Sequence, residues 1–225
     1  MLRKEPTADL SAVFSQLLDA QLGQEAYERG DFADAVACFA RAATTRRHPK
    51  EVPLMYLLLA RSHLRLRDRV RARAALDRAA RCEPALDPWY LSAGVFHAAL
   101  DAGKEGDTAA SWLGYTMLRE LDHPDFRYTA VNNLGALHYR HGRKTEAREH
   151  WEQVMAEGDA NDQAIAAHNL GCYWADHGDR LQAARYEGIA AQRRRAVAVR
   201  RVLSPKQWLR RGRSCLRRWR RRLRR

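Results

Sequence analysis

The sequence predicts an all-α chain, an α-α superhelix of about five helical hairpins over residues 12–192, with a C-terminal basic amphipathic helix. Residues 1–11 read as a flexible N-terminus, and 193–225 as a capping segment and an arginine-rich tail. Three observations lead there: an alanine returns at a fixed period, a second small residue stands a fixed distance before it, and a turn signal falls between the two. Self-similarity at a period of 20–50 residues is the mark of stacked helical units.

Ala35, Ala72, Ala109, Ala147 and Ala183 are separated by 37, 37, 38 and 36 residues, and each lies in an alanine-rich stretch. Gly23, Ala60, Gly135 and Gly171 stand twelve residues before four of these alanines, while Gly94 precedes Ala109 by fifteen. A small residue on each of two antiparallel helices lets their backbones approach, with larger apolar residues sealing the sides. Each unit therefore reads as two helices. Gly30-Asp31, Gly142-Arg143 and Gly178-Asp179 supply the turns, because glycine ends a helix in the left-handed conformation cheaply; Arg67-Asp68 stands in that place in the second unit.

Unit by unit, the first offers Leu22-Gly23 with Ala35 and Phe39, and the second Tyr56, Leu59-Ala60, His63, Ala72, Leu76 and Pro84. The third reads Tyr90, Ala93-Gly94, His97, Ala109 and Leu113, with three extra residues around Gly103-Lys104-Glu105-Gly106 between its helices. The fourth gives Leu134-Gly135, His138, Ala147 and Trp151; the fifth gives Leu170-Gly171, Trp174 and Ala183, with Glu187 where the others place an aromatic or leucine. That glutamate marks an exposed, terminal unit.

In these strings the chain resembles the tetratricopeptide repeat family, whose pattern runs W-x2-L-G-x2-Y, A-x3-F and then P. The resemblance covers roughly residues 12–192. It implies a superhelix whose inner face is lined by the first helix of each unit, and it implies binding of a protein or peptide ligand along that face. The residues that fall on it are Gln21, Gln24 and Tyr27, then Arg61 and Arg65, then Asn132, Asn133, Ala136, Tyr139 and Arg140, then His168, Asn169, Cys172 and Asp176. The two Asn-Leu-Gly strings, at Asn133 and Asn169, stand out because a carboxamide both donates to and accepts from a peptide backbone. Two uses stay open for each Asn: holding a ligand, or bonding a neighbouring helix or water. Arg61 and Arg65, one helical turn apart, either receive an acidic partner or belong, with Arg67, Arg69, Arg71 and Arg73, to a solvated face.

The formal charge of +13 is concentrated at one end. From Arg193 to Arg225 there are 15 Arg, one Lys and no acidic residue, whereas the rest of the chain is close to neutral. Ser204-Pro205-Lys206-Gln207 reads as a helix start with Ser204 as N-cap. Trp208, Leu209, Gly212, Cys215, Leu216, Trp219 and Leu223 then form one apolar stripe, flanked by Arg210, Arg211, Arg217, Arg218 and Arg221. Tryptophan on that stripe favours an anionic membrane surface as the partner; nucleic-acid phosphate is the alternative, and docking on the last repeat is the third use of the stripe.

Cys38, Cys82, Cys172 and Cys215 are far apart, without a Cys-x-x-Cys pair, which fits reduced thiols and a cytoplasmic setting, at most peripheral to the inner face of a membrane. The longest apolar run, Val52 to Ala60, contains Pro53 and is about half the roughly 20 residues a spanning helix needs. No metalloprotease, esterase-elbow, phosphate-loop or calcium-loop motif occurs, so neither catalysis nor a cofactor is expected. His138, His141 and His150, and likewise His168, Cys172 and His177, are the residues a metal would need; packing explains His138 and Trp174 more simply, since both hold the same repeat position.

Overall fold

In the computed structural model the described residues are 10–44 and 49–203, with side chains over 15–44 and 49–196. They form ten helices and, among the described residues, no strand. In chain order these are α1 (Leu10–Arg29), α2 (Phe32–Thr44), α3 (Val52–Arg65), α4 (Arg69–Arg81), α5 (Pro88–Lys104), α6 (Thr108–Leu121), α7 (Arg127–Arg140), α8 (Lys144–Glu157), α9 (Ala160–Asp176) and α10 (Arg180–Leu203). Two compact units, Met1–Gly114 and Tyr115–Arg225, divide the chain within α6. In the first, α1 packs on α2, α2 on α3, α3 on α4 and on α5. In the second, α7 packs on α8, α8 on α9, α9 on α10, and α7 also touches α9.

One turn chemistry closes all five hairpins. Gly30, Arg67, Gly106, Gly142 and Gly178 sit at φ +88°, +60°, +82°, +77° and +79°. At each, the next residue's N–H reaches back to a carbonyl of the preceding helix: Asp31 to Ala26, Asp68 to His63, Asp107 to Ala102, Arg143 to His138 and Asp179 to Trp174, all at 2.8–3.0 Å. This is the paired-bond helix ending that a left-handed residue permits. In the second, third and fifth hairpins the aspartate that follows caps the second helix, Asp68 for Arg71 N (2.9 Å), Asp107 for Ala110 N (3.1 Å) and Asp179 for Gln182 N (2.9 Å), whereas in the fourth Arg143 stands there without a side-chain cap. In those three the hairpin is written in two adjacent residues, one to end a helix and one to begin the next.

The small-residue pairs pack as their spacing requires. Ala35, Ala60, Ala72 and Ala147 are fully buried. A Cβ on Gly23 would lie 2.8 Å from the Phe39 ring, and one on Gly135 would lie 2.6 Å from Trp151 Nε1. Only glycine lets these aromatic rings close the hairpins.

The third hairpin has a different register from the one its sequence suggests. Ala109 is exposed, whereas Ser111 and Tyr115 are buried, at 1% and 3% exposure. Measured from the turn, Gly106 to Ser111 repeats the five-residue step from Gly30 to Ala35 and from Gly142 to Ala147. The buried partner twelve residues earlier is Ala99, and Gly114 lies against it: a Cβ there would come within 2.6 Å of Ala99 Cβ. Gly94 instead makes room for Leu57 of α3, at 2.7 Å from its would-be Cβ. Nothing is inserted between α5 and α6. The extra residues lengthen the start of α5 itself, 17 residues long against 14 for α3 and for α7, where Asp87 caps the helix at Trp89 N (2.9 Å) and Pro88 fills its first position.

Candidate protein-interaction face

Helices α7 and α9 are the first helices of consecutive hairpins, and their sequences place matching residues side by side. Three side-chain bonds pin them, two at one end and one at the other. Near their N-termini, Thr129 Oγ1 donates to Asp162 (2.9 Å), and Asn132 Nδ2 donates to the Asp162 carbonyl (3.2 Å). Near their C-termini the Tyr139 hydroxyl donates to the Asp176 carboxylate. Burial, followed by that bond, pushes the Tyr139 phenol up to about 12. The Tyr139 ring is also edge-on to Tyr173, with centroids 6.4 Å apart. Asp162 is buried, which raises its carboxyl to about 6 despite the Thr129 bond, with Asp159 adding to the rise.

Between these pins α7 offers half-buried Asn133, with exposed Arg140 just beyond Tyr139; α9 offers half-buried Asn169 and exposed His168, Cys172 and Ile165. Asn133 Nδ2 donates to the Thr129 carbonyl of its own helix (2.8 Å), leaving its carboxamide oxygen as an acceptor. His168 Nε2 lies 3.9 Å from Cys172 Sγ. The surface is polar and mixed in sign, with Ile165 as its large apolar side chain.

Other residues expected on this face are engaged in packing. Asn132 is buried at 3% exposure, and its own carbonyl accepts from Trp151 Nε1 (3.2 Å), so it joins α7 to α8 and α9 instead of meeting a ligand. Its Oδ1 has no partner among the described residues. Arg65 is likewise buried, its guanidinium 4.3 Å from the Phe32 ring centroid and paired with Glu105. Arg61 stacks over Tyr27 at 5.0 Å. These two arginines therefore tie α3 to the first hairpin, and through Glu105 to the third; neither the acidic-partner nor the solvated-face reading describes Arg65. Gln21 and Gln24 bond Glu25 (3.0 Å) and Glu28 (2.8 Å) along α1. His138 and His150 lie with tilted rings, centroids 5.0 Å apart, across α7 and α8, and burial pushes both imidazoles down. Among the described residues no group of three or more His, Cys, Asp or Glu could hold a metal, and no helix is long and apolar enough to cross a membrane. The tail residues Trp208, Arg210, Arg211, Arg217, Arg218, Trp219 and Arg221 lie outside the described residues.

The pairing of α7 with α9 was hidden from the sequence, although a signal exists. Thr129 and Asp162 are 33 residues apart and Tyr139 and Asp176 are 37, close to one repeat in each case.

By geometry the chain is an all-α array of helical hairpins. No protein-family model matches it, and no curated protein matches it. Among solved structures it is similar to the crystal structure of MamA, at 15% identity over 79% of this chain and 96% of that one, with a TM-score of 0.45. A second crystal structure of MamA protein aligns at 14% identity over 82% and 94% of the two chains, TM-score 0.45. BtubC (BKLC) from P. vanneervenii aligns at 21% identity over 85% and 90%, TM-score 0.45.

Proposed function

We propose that this chain is a non-catalytic protein-interaction scaffold. In this reading a protein or peptide segment lies along α7 and α9, meeting Asn133, Arg140, His168 and Asn169, and residues 204–225 tether the protein to an anionic membrane surface. The observation that supports the first half is the repetition of a half-buried carboxamide, Asn133 and Asn169, on two helices held side by side at both ends. Carboxamides at a fixed interval on rigid elements suit an extended backbone, whose N–H and C=O groups recur along its length. Tyr139 and Asp176 act by positioning, since each satisfies the other.

A photo-crosslinking residue placed at Cys172 tests this. It is expected to capture a protein partner that the same residue at Gln153, exposed on α8, does not. The double change Asn133→Ala with Asn169→Ala lowers that capture about tenfold or more, two lost hydrogen bonds at roughly 1 kcal/mol each, with an unchanged helical circular dichroism spectrum. Equal capture from both positions removes the reading.

The tether rests on the sequence, on Trp208 and Trp219 within one apolar stripe among arginines. Flotation with anionic vesicles is expected to drop sharply, without vanishing, for a chain ending at Leu203 and for Trp208→Ala with Trp219→Ala. Indifference to the tryptophan changes, with duplex DNA shifted in a salt-dependent manner, selects the nucleic-acid alternative.

A further inference from the structure

Six large apolar residues are exposed among the described side chains, and two of them, Leu66 at 44% and Val70 at 79%, flank one turn, between α3 and α4. Arg67, Arg69, Arg71 and Arg73 surround them, all exposed. From these we infer that the α3–α4 turn is a second membrane-docking point, an apolar tip ringed by guanidinium groups that seats on an anionic lipid bilayer. The site lies in the first compact unit and is independent of the tail.

Arg67 holds the left-handed position that glycine takes in the other four hairpins, so a long cationic side chain replaces a bare backbone at the tip. Val70 lies two residues beyond the Asp68 cap, in the first turn of α4, where the helix's own dipole adds positive potential. Three of these arginines, each open to solvent, are faced by partly exposed carboxylates. Arg67 pairs with Asp107 (3.0 Å), Arg71 with Asp68 (3.3 Å), and Arg73 with Asp77 (3.1 Å), which Arg81 also approaches (3.9 Å). Such exposed pairs are weakly held and exchange readily for phosphate oxygens.

The apolar side chains decide between polyanions. A nucleic-acid backbone offers nothing to Val70 or Leu66, and a solvated charged face has no need of them. A bilayer takes both groups at once, with arginine stems lying along the headgroups and aliphatic tips below them. The tip is short of aromatic anchors, so the attachment is weak and reversible.

The test uses the full chain and flotation with vesicles of phosphatidylcholine alone or with 30% phosphatidylserine, by mole, as a representative anionic content of the order found on cytoplasmic leaflets. Val70→Ser and the triple change Arg69→Gln, Arg71→Gln, Arg73→Gln are made both in the native background and in Trp208→Ala with Trp219→Ala, which reports the tail separately. Val70→Trp serves as a gain variant, and circular dichroism confirms that each folds. On anionic vesicles the partition coefficient is expected to fall about fivefold for Val70→Ser and about fivefold per arginine removed, and to rise for Val70→Trp. On neutral vesicles binding is expected to be weak for every form. The inference is overturned by any of three results: partition that ignores all three tip variants, equal binding to neutral vesicles, or a triple-arginine variant that loses a duplex DNA shift while keeping its vesicle binding.

Discussion

The fourth and fifth hairpins share their backbone and differ in how they close. In both, a glycine on the first helix faces a residue four beyond the buried alanine of the second. In the fourth that residue is Trp151, 3% exposed, its indole N–H bonded to the Asn132 carbonyl and its ring beneath Gly135. In the fifth it is Glu187, exposed, with its Cγ at an ordinary 3.4 Å from a would-be Cβ on Gly171. One position therefore sets whether a hairpin is sealed on both sides or left open on one. Trp151 belongs to a cluster with Val131, Ala147, Val154, Ala166, Leu170 and Tyr173 that joins α7, α8 and α9, so it seals two hairpins together. Glu187 ends the sealing, and α10 runs on to Leu203.

The strongest way to break this contrast is to remove both side chains in turn. Trp151→Ala deletes a buried ring and its hydrogen bond, at a cost of about 3–5 kcal/mol, read as a large fall in the denaturation midpoint of the full chain. Glu187→Ala stays within about 0.5 kcal/mol of the parent. A Trp151→Ala protein that melts like the parent would show that the hairpins are not sealed at this position.

Adding a methyl group sharpens the same contrast from the opposite helix. Gly135→Ala drives a Cβ against the indole at 2.6 Å, and Gly23→Ala does so against the Phe39 ring at 2.8 Å. Both should cost about 1–3 kcal/mol in overpacking. Gly171→Ala meets nothing closer than 3.4 Å, so the gain in helix propensity prevails and the protein is stabilised by up to about 1 kcal/mol. Three glycines with one repeat role thus separate by sign in a thermal melt.

Much of this was legible in the chain itself, because the hairpin is specified locally. A left-handed residue is visible at Gly30, and one followed by a capping residue at Gly178-Asp179, without knowledge of packing, and so is the glycine that must sit beneath Phe39 or Trp151. The third unit misleads for a local reason too. Ala109-Ala110-Ser111 offers three small residues in a row, and alanine is the natural choice for the repeat position, but the turn at Gly106 fixes Ser111 in that place, with Ala110 buried beside it. Counting from the turn instead of from the alanines would have found it. What the chain could not display is which polar residues its own helices use up. Asn132 and Asn133 are adjacent and chemically alike, yet one is buried between three helices and the other is half-exposed. Arg65 looks like its neighbours Arg67 and Arg69, but a ring of the preceding hairpin and a carboxylate of the following one enclose it.

The smallest effect concerns the pins that hold α7 against α9, and its sign depends on pH. Asp162 ionises near 3.8 in an unfolded chain and at about 6 in the fold, because burial opposes its charge. Between those values the folded protein keeps a proton that the unfolded chain releases, so this group's contribution to stability declines as pH rises from about 4 to about 6 and is least favourable above that window. His63, His138 and His150 work the other way. Burial holds each below its ordinary 6.5, so they support the fold above that value and withdraw support as pH falls. Replacing Asp162 with Asn keeps an acceptor for the Thr129 hydroxyl while removing the charge. At pH 7.5 the variant should gain about 1 kcal/mol, since the carboxylate retains part of its hydration, and at pH 4 it should gain nothing. With the carboxyl's opposing slope gone, the variant's melting temperature should fall more steeply than the parent's between pH 6.5 and 5, exposing the histidine contribution. A gain at pH 4 as large as that at pH 7.5 would mean that Asp162 acts through shape and not through its charge.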